Sequence, residues 1–99
     1  MAVRTPGVAY SITIRSEYPN IPGMLGKITS AIGAAGGSAM GVDVVQATTG
    51  GMVRDFTVNT SGHEHAIEVV EAIKAVPEVK VRSISDQTFL LHVGGKIEM

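Results

Sequence analysis

The chain contains no cysteine and no tryptophan, and its aromatic residues are two tyrosines and two phenylalanines. Without cysteine there can be no disulfide scaffold, thiolate metal site or cysteine nucleophile. Charge is also scarce, since 8 basic and 9 acidic residues leave a formal net charge of −1. No run of Lys or Arg offers long-range attraction for a phosphate backbone or an anionic lipid. We therefore expect neither nucleic acid nor membrane as a partner.

Long apolar runs are missing as well. No stretch approaches the ~20 apolar residues of a membrane span, and residues 1–10 lack the apolar centre of a signal peptide. Hydrophobic residues make up 44% and charged residues 17% of the 99 positions. That composition is typical of a globular domain with an unusually uncharged surface. We expect one soluble, cytoplasmic domain whose apolar surface is partly covered by another subunit.

What is present is an alternation of strand and helix patterns. Apolar and polar residues alternate from Val8 to Arg15, as in a strand that is buried on one face. Helical spacing relates Leu25, Ile28 and Ile32. The first predicted elements are a strand from Val8 to Arg15 and a helix with Pro22 in its first turn. Two strands follow, from Met40 to Ala47 and from Met52 to Asn59. The last elements are a helix capped by Ser61 and stopped by Pro77, and a strand of Val79, Val81 and Ile84 that runs to Asp86.

This order predicts an α+β fold, the ferredoxin-like βαββαβ sandwich. Its four-stranded antiparallel sheet has two helices on one face, with the first and third strands in the centre. The second strand is then a Val-rich edge whose single charge is Asp43. An edge of this kind buries more surface by pairing with a copy of itself, so we expect a homodimer or higher oligomer through the second strand.

The glycines predict turns and close packing rather than a nucleotide site. Gly33, Gly36, Gly37 and Gly41 follow a helix and precede a strand, which is the reverse of the order in a dinucleotide-binding fingerprint. We expect a left-handed helix cap at Gly36 or Gly37 and tight packing nearby. Thr49-Gly50-Gly51 predicts a tight hairpin with positive φ values at the glycines.

The second helix carries several polar residues that need an interpretation. Ser61 and Glu64 match a capping box. His63 and His65 diverge around the helix, and with no convergent third ligand they do not predict a metal site. Arg54 and Asp55, adjacent on the third strand, are expected to make solvated cross-strand contacts because neighbouring strand residues point to opposite faces.

The connection from Ser16 to Gly26 joins the first strand to the first helix. Asn20 can accept a hydrogen bond from a helix amide, and Pro22 suits the first helical turn. The result would be a stiff loop whose amides, near the positive end of a helix dipole, face a carboxylate or a similar anion. The alternative is an ordinary strand-to-helix connection.

This loop and its setting resemble the ACT domain, a small ligand-sensing module attached to metabolic enzymes. The family's turn of Asp or Asn, any residue, Pro, Gly and an aliphatic pair is matched by Asn20-Ile21-Pro22-Gly23-Met24-Leu25. The resemblance covers about residues 8 to 86 and implies that residues 1–86 form a regulatory domain for an amino acid or small carboxylate. In the family the ligand lies between this turn and the start of the partner's second strand, where Ser38 replaces the usual second Asn. The implied ligand-binding residues are Tyr18, Asn20, Ile21, Pro22, Gly23, Met24, Leu25, Gly26, Ser38, Ala39, Met40 and Gly41.

The residues from Ser85 to Glu98 resemble the segment that joins an amino-terminal ACT domain to the catalytic part of bacterial NAD-dependent malic enzymes. The resemblance implies that residues 87–99 are an extension toward a catalytic region that this chain does not contain. Such enzymes use NAD and a divalent metal, and this chain has neither a dinucleotide fingerprint nor a carboxylate cluster. We therefore expect no enzyme activity, no cofactor and no metal in the chain itself.

Two other functions remain open. One is a dimerisation module without a ligand. The other is an acylphosphatase-like enzyme, which has the same element order and would use Arg15 and Asn20, although the phosphate-binding loop between them is replaced by Tyr18-Pro19.

Overall fold

The computed structural model describes residues 10–86. The start of the predicted first strand at Val8 and the extension 87–99 lie outside this range. The described elements are β1 (Tyr10–Tyr18), α1 (Met24–Ala34), β2 (Ser38–Ala47), β3 (Met52–Thr60), α2 (His63–Lys74) and β4 (Lys80–Asp86).

Residues 10–86 form a four-stranded sheet in the order β2-β3-β1-β4. All three neighbouring pairs are antiparallel, so β1 and β3 are central and β2 and β4 lie at the edges. The register pairs Ile14 with Phe56 and Ile12 with Val58, which puts these four buried side chains on one face of the sheet. The predicted ferredoxin-like α+β fold is confirmed.

Both helices pack on this apolar face. Their buried residues join the same core cluster as the four strand residues. The helix residues in the core are Met24, Ile28 and Ile32 from α1 and Ala66, Val69, Val70 and Ile73 from α2. The opposite face is open and polar, with Thr13 beside Thr57 and Arg15 beside Asp55.

The glycines after α1 match their predicted roles. Gly36 has φ 85°, the left-handed conformation of a helix C-terminus. Gly37 lies against the core, because a Cβ there would lie 2.8 Å from Val58 Cγ1 and 3.1 Å from Val69 Cγ2. The hairpin differs from the prediction, since neither Gly50 nor Gly51 is among the described glycines with positive φ. The hydroxyl of Thr48 instead accepts from the amide of Gly51 at 3.0 Å and stabilises the turn.

The start of α2 differs from the predicted capping box. Gly62 is the N-cap, and no side-chain hydrogen bond caps the helix within the described residues. Ser61 instead donates to a buried histidine: its amide lies 3.0 Å and its hydroxyl 3.1 Å from Nδ1 of His65. Because Nδ1 accepts, the ring proton is on Nε2, which donates to the carbonyl of Ala35 at 2.8 Å. His65 thus ties α2 to the residue that follows α1.

Candidate functional site

The β1–α1 loop, residues 19–23, joins the end of a central strand to the first turn of α1. The amide of Ile21 donates to the carbonyl of Pro19 at 2.9 Å, and Gly23 adopts φ 90°. A side chain at Gly23 would be strained in this left-handed conformation, so glycine is required here for the chain to enter the helix. The proline-braced turn predicted from the sequence is therefore compact and internally hydrogen-bonded.

The capping prediction for this loop is wrong. Gly23, not Asn20, is the N-cap of α1, so Pro22 precedes the helix instead of lying in its first turn. The Asn20 side chain donates from Nδ2 to the carbonyl of Thr48 at 3.3 Å. Asn20 therefore fastens the loop to the β2–β3 hairpin.

The first turn of α1 contains the backbone amides that the sequence suggests as donors to an anion. The amide of Lys27 is the first to bond back to the helix, reaching the carbonyl of Gly23 at 3.0 Å. In the described part of the chain, the amides of Leu25 and Gly26 have no acceptor, as is normal for the first residues of a helix. These two donors, at the positive end of the helix dipole, could receive a carboxylate.

Within one copy of the chain, the two parts of the predicted site lie at opposite ends of the sheet. Tyr18, before the loop, pairs with Met52, whereas Ser38 pairs with Asn59. Met52 and Asn59 are seven positions apart on β3, which corresponds to about 24 Å at ~3.4 Å per residue. A single copy therefore does not bring the start of β2 to the β1–α1 loop.

Residues 38–41 nevertheless form an accessible strand end. Ala39 and Met40 are exposed, and Met40 is an extra residue in the register with β3, as Val45 is further along. The hydroxyl of Ser38 donates to the sulfur of Met40 at 3.6 Å. These two β-bulges leave residues 41–44 as the regular stretch of the edge strand.

Exposed apolar residues concentrate beside this edge. Among the described residues, eight large apolar side chains are exposed, and six of them lie on β2 or around the start of α1. These six, which we call the β2-edge patch, are Ile21, Leu25, Met40, Val42, Val44 and Val45. Val42 pairs with the buried Phe56 and thus belongs to the helix side of the sheet, yet it remains 39% exposed. A patch of this kind is typical of a protein interface.

Arg54 makes a cross-strand contact, as predicted, but the contact is part-buried rather than solvated because this side chain lies on the helix side of the sheet. Arg54 Nη1 donates to the hydroxyl of the buried Tyr18 at 2.9 Å. Its Nε is buried without a hydrogen-bond partner, and so is Oγ of Ser16, which is the residue opposite Arg54 on β1. Strand alternation indicated that Arg54 and Asp55 would face opposite sides, but it did not show which of them would lie under the helices.

Asp55 lies on the open face, as a cross-strand contact was expected to do. Arg15 reaches it through two hydrogen bonds, Nε to Oδ1 at 2.8 Å and Nη2 to Oδ2 at 3.0 Å. These hydrogen bonds lower the pKa of Asp55, and the smaller effect of burial acts in the opposite direction. The same contact raises the pKa of Arg15. Because the Arg15 guanidinium is paired with a carboxylate, the nomination of Arg15 and Asn20 as an acylphosphatase pair gains no support.

The predicted site residues also line different cavities. A wide groove of about 670 Å³ between α1 and the end of α2 is lined by Gly23 and Gly26, together with Ser30, Ala72 and Val76. Tyr18 lines a separate hollow of about 220 Å³ near the hairpin. Neither cavity includes residues 38–41. Within residues 10–86, no group of three or more His, Asp or Glu side chains could hold a metal ion.

Comparison with known proteins agrees with this fold. The ACT domain of the GTP pyrophosphokinase of Chlorobium tepidum superposes with a TM-score of 0.61 at 14% identity, covering 78% of this chain and 96% of that domain. GqqA, described as a novel type of quorum quenching acylase, superposes with a TM-score of 0.51 at 17% identity over 85% of this chain and 32% of its own. At such identities the likeness is one of fold. No family model matches the sequence.

Two malic enzymes are similar in sequence. The NAD-dependent malic enzyme of Geobacillus stearothermophilus is 40% identical over 93% of this chain, and NAD-dependent malic enzyme 1 of Bacillus subtilis is 35% identical over 88%. The chain spans 19% and 20% of the length of these relatives. The predicted resemblance to an ACT domain and to part of a malic enzyme is confirmed, and a match to one fifth of an enzyme supports the expectation that this chain is not catalytic by itself. Within residues 10–86, neither helix is long and apolar enough to cross a membrane.

Proposed function

We propose that this chain is a regulatory domain of the ACT type that binds a small carboxylate effector, an amino acid or a small dicarboxylate, between two copies of itself. The observation that carries the proposal is the exposed apolar edge formed by β2, together with its direction relative to the β1–α1 loop. An ACT-type fold and similarity to one part of malic enzymes support the regulatory role.

A two-fold dimer through β2 would complete the site. Two copies of one edge strand that pair about a two-fold axis run antiparallel, so the start of one strand meets the end of the other. Ala47, at the end of β2, pairs with Met52, which also pairs with Tyr18 beside the loop. Residues 38–41 of the second copy would therefore lie next to the β1–α1 loop of the first. The regular stretch 41–44 between the two bulges is suited to this pairing.

The polar groups near the loop favour a carboxylate. The amides of Leu25 and Gly26 have no acceptor in residues 10–86, and they can donate to an anion at the helix N-terminus. Arg54, held by Tyr18, keeps a buried Nε that has no partner. A charge-assisted hydrogen bond from this guanidinium would satisfy that donor and select a ligand with negative charge.

The regulated activity in this proposal is that of an NAD-dependent malic enzyme, the oxidative decarboxylation of malate. NAD and the divalent metal would be held outside this chain. An effector changes such an activity only through the difference in its affinity for two arrangements of the subunits, which is typically about 1–3 kcal/mol. A pocket shared by two copies supplies that difference, because each arrangement of the copies presents a different pocket.

Titration of the ¹⁵N-labelled chain with amino acids and small dicarboxylates tests the proposal. We expect amide signals of residues 20–26 and 38–41 to shift together with one of these ligands. Arg54→Met should weaken that binding about tenfold or more, as expected for a lost hydrogen bond to a charged group. Arg82→Met, at an exposed arginine on the opposite edge strand, is the matched control and should bind normally.

The outcomes separate the two candidate functions. If no ligand shifts these signals while the chain remains dimeric, the β2-edge patch serves a dimerisation module without an effector. If ligand binds and Arg54→Met binds it as well as the parent chain, the carboxylate recognition proposed for Arg54 is wrong.

A further inference from the structure

Among residues 10–86, the two large exposed apolar residues outside the β2-edge patch lie together at the other sheet edge. Ile67 on α2 is 49% exposed and Ile84 on β4 is 51% exposed, and both line a groove between α2 and β4. We call this groove, floored by Ile12, Ala66 and Val70, the α2–β4 groove. Its polar rim consists of two contacting pairs, Tyr10 with His63 and Glu71 with Lys74. An apolar floor with polar ends suits an apolar peptide segment.

The size of the groove argues for side chains rather than a separate ligand. Its volume is about 260 Å³. Small-molecule sites usually offer roughly 300–1,000 Å³, so the groove falls just short of that range. One or two large apolar side chains would occupy it.

The chain itself supplies such side chains a few residues beyond the groove. β4 ends at Asp86, two residues after Ile84, and the sequence continues with Gln87-Thr88-Phe89-Leu90-Leu91. Phe89 follows Asp86 by three residues, a span of about 10 Å for an extended chain. We propose that the segment of Phe89, Leu90 and Leu91 folds back into the α2–β4 groove and covers Ile67 and Ile84.

The segment before β1 is the weaker candidate occupant. It also adjoins the groove in sequence, because Tyr10, the first residue of β1, lines the rim. Its nearest large apolar residues, Val8 and Val3, are separated by Arg4, Thr5, Pro6 and Gly7. The segment after β4 can supply the one or two large apolar side chains that this volume accepts, whereas the segment before β1 offers only smaller and more widely spaced valines. Docking of this segment would also fix the direction in which the chain leaves β4.

The absence of cysteine makes the test direct, since one introduced cysteine gives a single labelling site. A nitroxide attached to the Glu71→Cys variant, on the rim of the groove, should broaden the amide signals of Phe89, Leu90 and Leu91 by more than half. The matched control is a nitroxide on the Gln46→Cys variant, at the exposed opposite edge of the sheet, which should leave those signals unchanged. Both substitutions lie at exposed positions and are expected to fold.

Three results would overturn the proposal. One is full intensity of the three signals with the Glu71→Cys label. Another is broadening of Val3 and Val8 in their place. The last is broadening that persists when ¹⁵N-labelled chain without a nitroxide is mixed with unlabelled chain that carries the nitroxide, since the segment of a second copy would then occupy the groove.

A second measurement does not depend on the label. Replacing Phe89, Leu90 and Leu91 by serine should shift the methyl signals of Ile67 and Ile84, while that of Ile28, on the buried face of α1, stays in place. Unchanged Ile67 and Ile84 signals would contradict docking. Neither measurement involves the β1–α1 loop, so failure here would leave the proposed effector site untouched.

Discussion

At the scale of single residues, Gly37 is the described glycine at which an added Cβ would have the least space. A Cβ at this position would approach three fully buried side chains, at 2.8 Å from Val58 and 3.1 Å from Ile32 and Val69. We predict that Gly37→Ala lowers the free energy of unfolding by about 1–3 kcal/mol, the usual cost of overpacking a core. Gly33→Ala is the control, because α1 is helical there and a Cβ would meet nothing within 4 Å. That variant should gain about 0.5–1 kcal/mol. Urea unfolding measures both, and equal effects would contradict the assigned packing.

His65 and His63 form a second matched pair. His65 is 2% exposed and holds Ser61 and the carbonyl of Ala35, whereas His63 is exposed and its Nδ1 lies 3.0 Å from the Tyr10 hydroxyl. His65→Ala removes a buried side chain and leaves two part-buried backbone groups without that partner, so we predict a loss of about 2–4 kcal/mol in the free energy of unfolding. His63→Ala should cost well under half as much. Denaturant midpoints, with unchanged m-values, measure the difference between the two variants. Similar losses in the free energy of unfolding would show that the contacts of His65 do not hold the two helices together.

The histidines also show what residue type alone could not reveal. The helical spacing predicts that His63 and His65 point in different directions from one helix, and in the structure they do. Which of them would be buried depended on the position of Ala35, thirty residues earlier in the chain. No local rule contains that contact, because the two segments meet only after both helices pack on the sheet.

At the scale of elements, β2 differs most from its neighbours. Its side chains are largely exposed, including those that face the helix side of the sheet. We predict that Val44→Glu disrupts the proposed dimer, because it puts a charge at Val44, a 57% exposed residue of the apolar edge. Ile67→Glu changes an isoleucine of similar exposure on α2 and should leave the oligomeric state unchanged. Sedimentation equilibrium distinguishes monomer from dimer, and a Val44→Glu variant that still forms dimers would rule out pairing through β2.

Helix starts were the least predictable feature of the elements. Both helices have a glycine N-cap, although the sequence offered Asn20 and Ser61 as conventional caps. Each polar side chain found another partner: Asn20 bonds to Thr48 and Ser61 bonds to His65. A local capping motif predicts which residues can cap a helix, but it cannot include a competing partner contributed by another element.

At the scale of the whole molecule, stability should depend on acid through the Arg15–Asp55 pair. Because the folded pKa of Asp55 is lowered, the pair's stabilisation is fully present above the ordinary Asp pKa of about 4. It is lost as the pH falls through that value toward the lowered folded pKa. We predict that Asp55→Asn makes the free energy of unfolding less sensitive to pH in this window. Arg15→Met should have the same effect, and it should add nothing in the Asp55→Asn background. An additional loss of sensitivity in the double variant would show that Arg15 also lowers the pKa of another carboxyl group, since the guanidinium itself stays protonated in this pH window.

The composition and periodicity of the sequence determined the element order and hence the fold class. The alternation in β1 and β3 reflects burial on one face of each strand. The helical spacing likewise reflects burial on one face of each helix, at Ile28, Ile32, Val70 and Ile73. That burial is a local consequence of side-chain direction. The resemblance to an ACT domain likewise rested on contiguous residues of one loop.

Only the tertiary structure decided how the distant parts are related. It separated residues 38–41 from the β1–α1 loop, turned Arg54 toward Tyr18 and left the α2–β4 groove beside the end of β4. These relations depend on strand register and on helix placement, which are set by contacts between residues far apart in the chain. A pattern of neighbouring residues determines which side of an element is buried, but the packing of the other elements determines what that side meets.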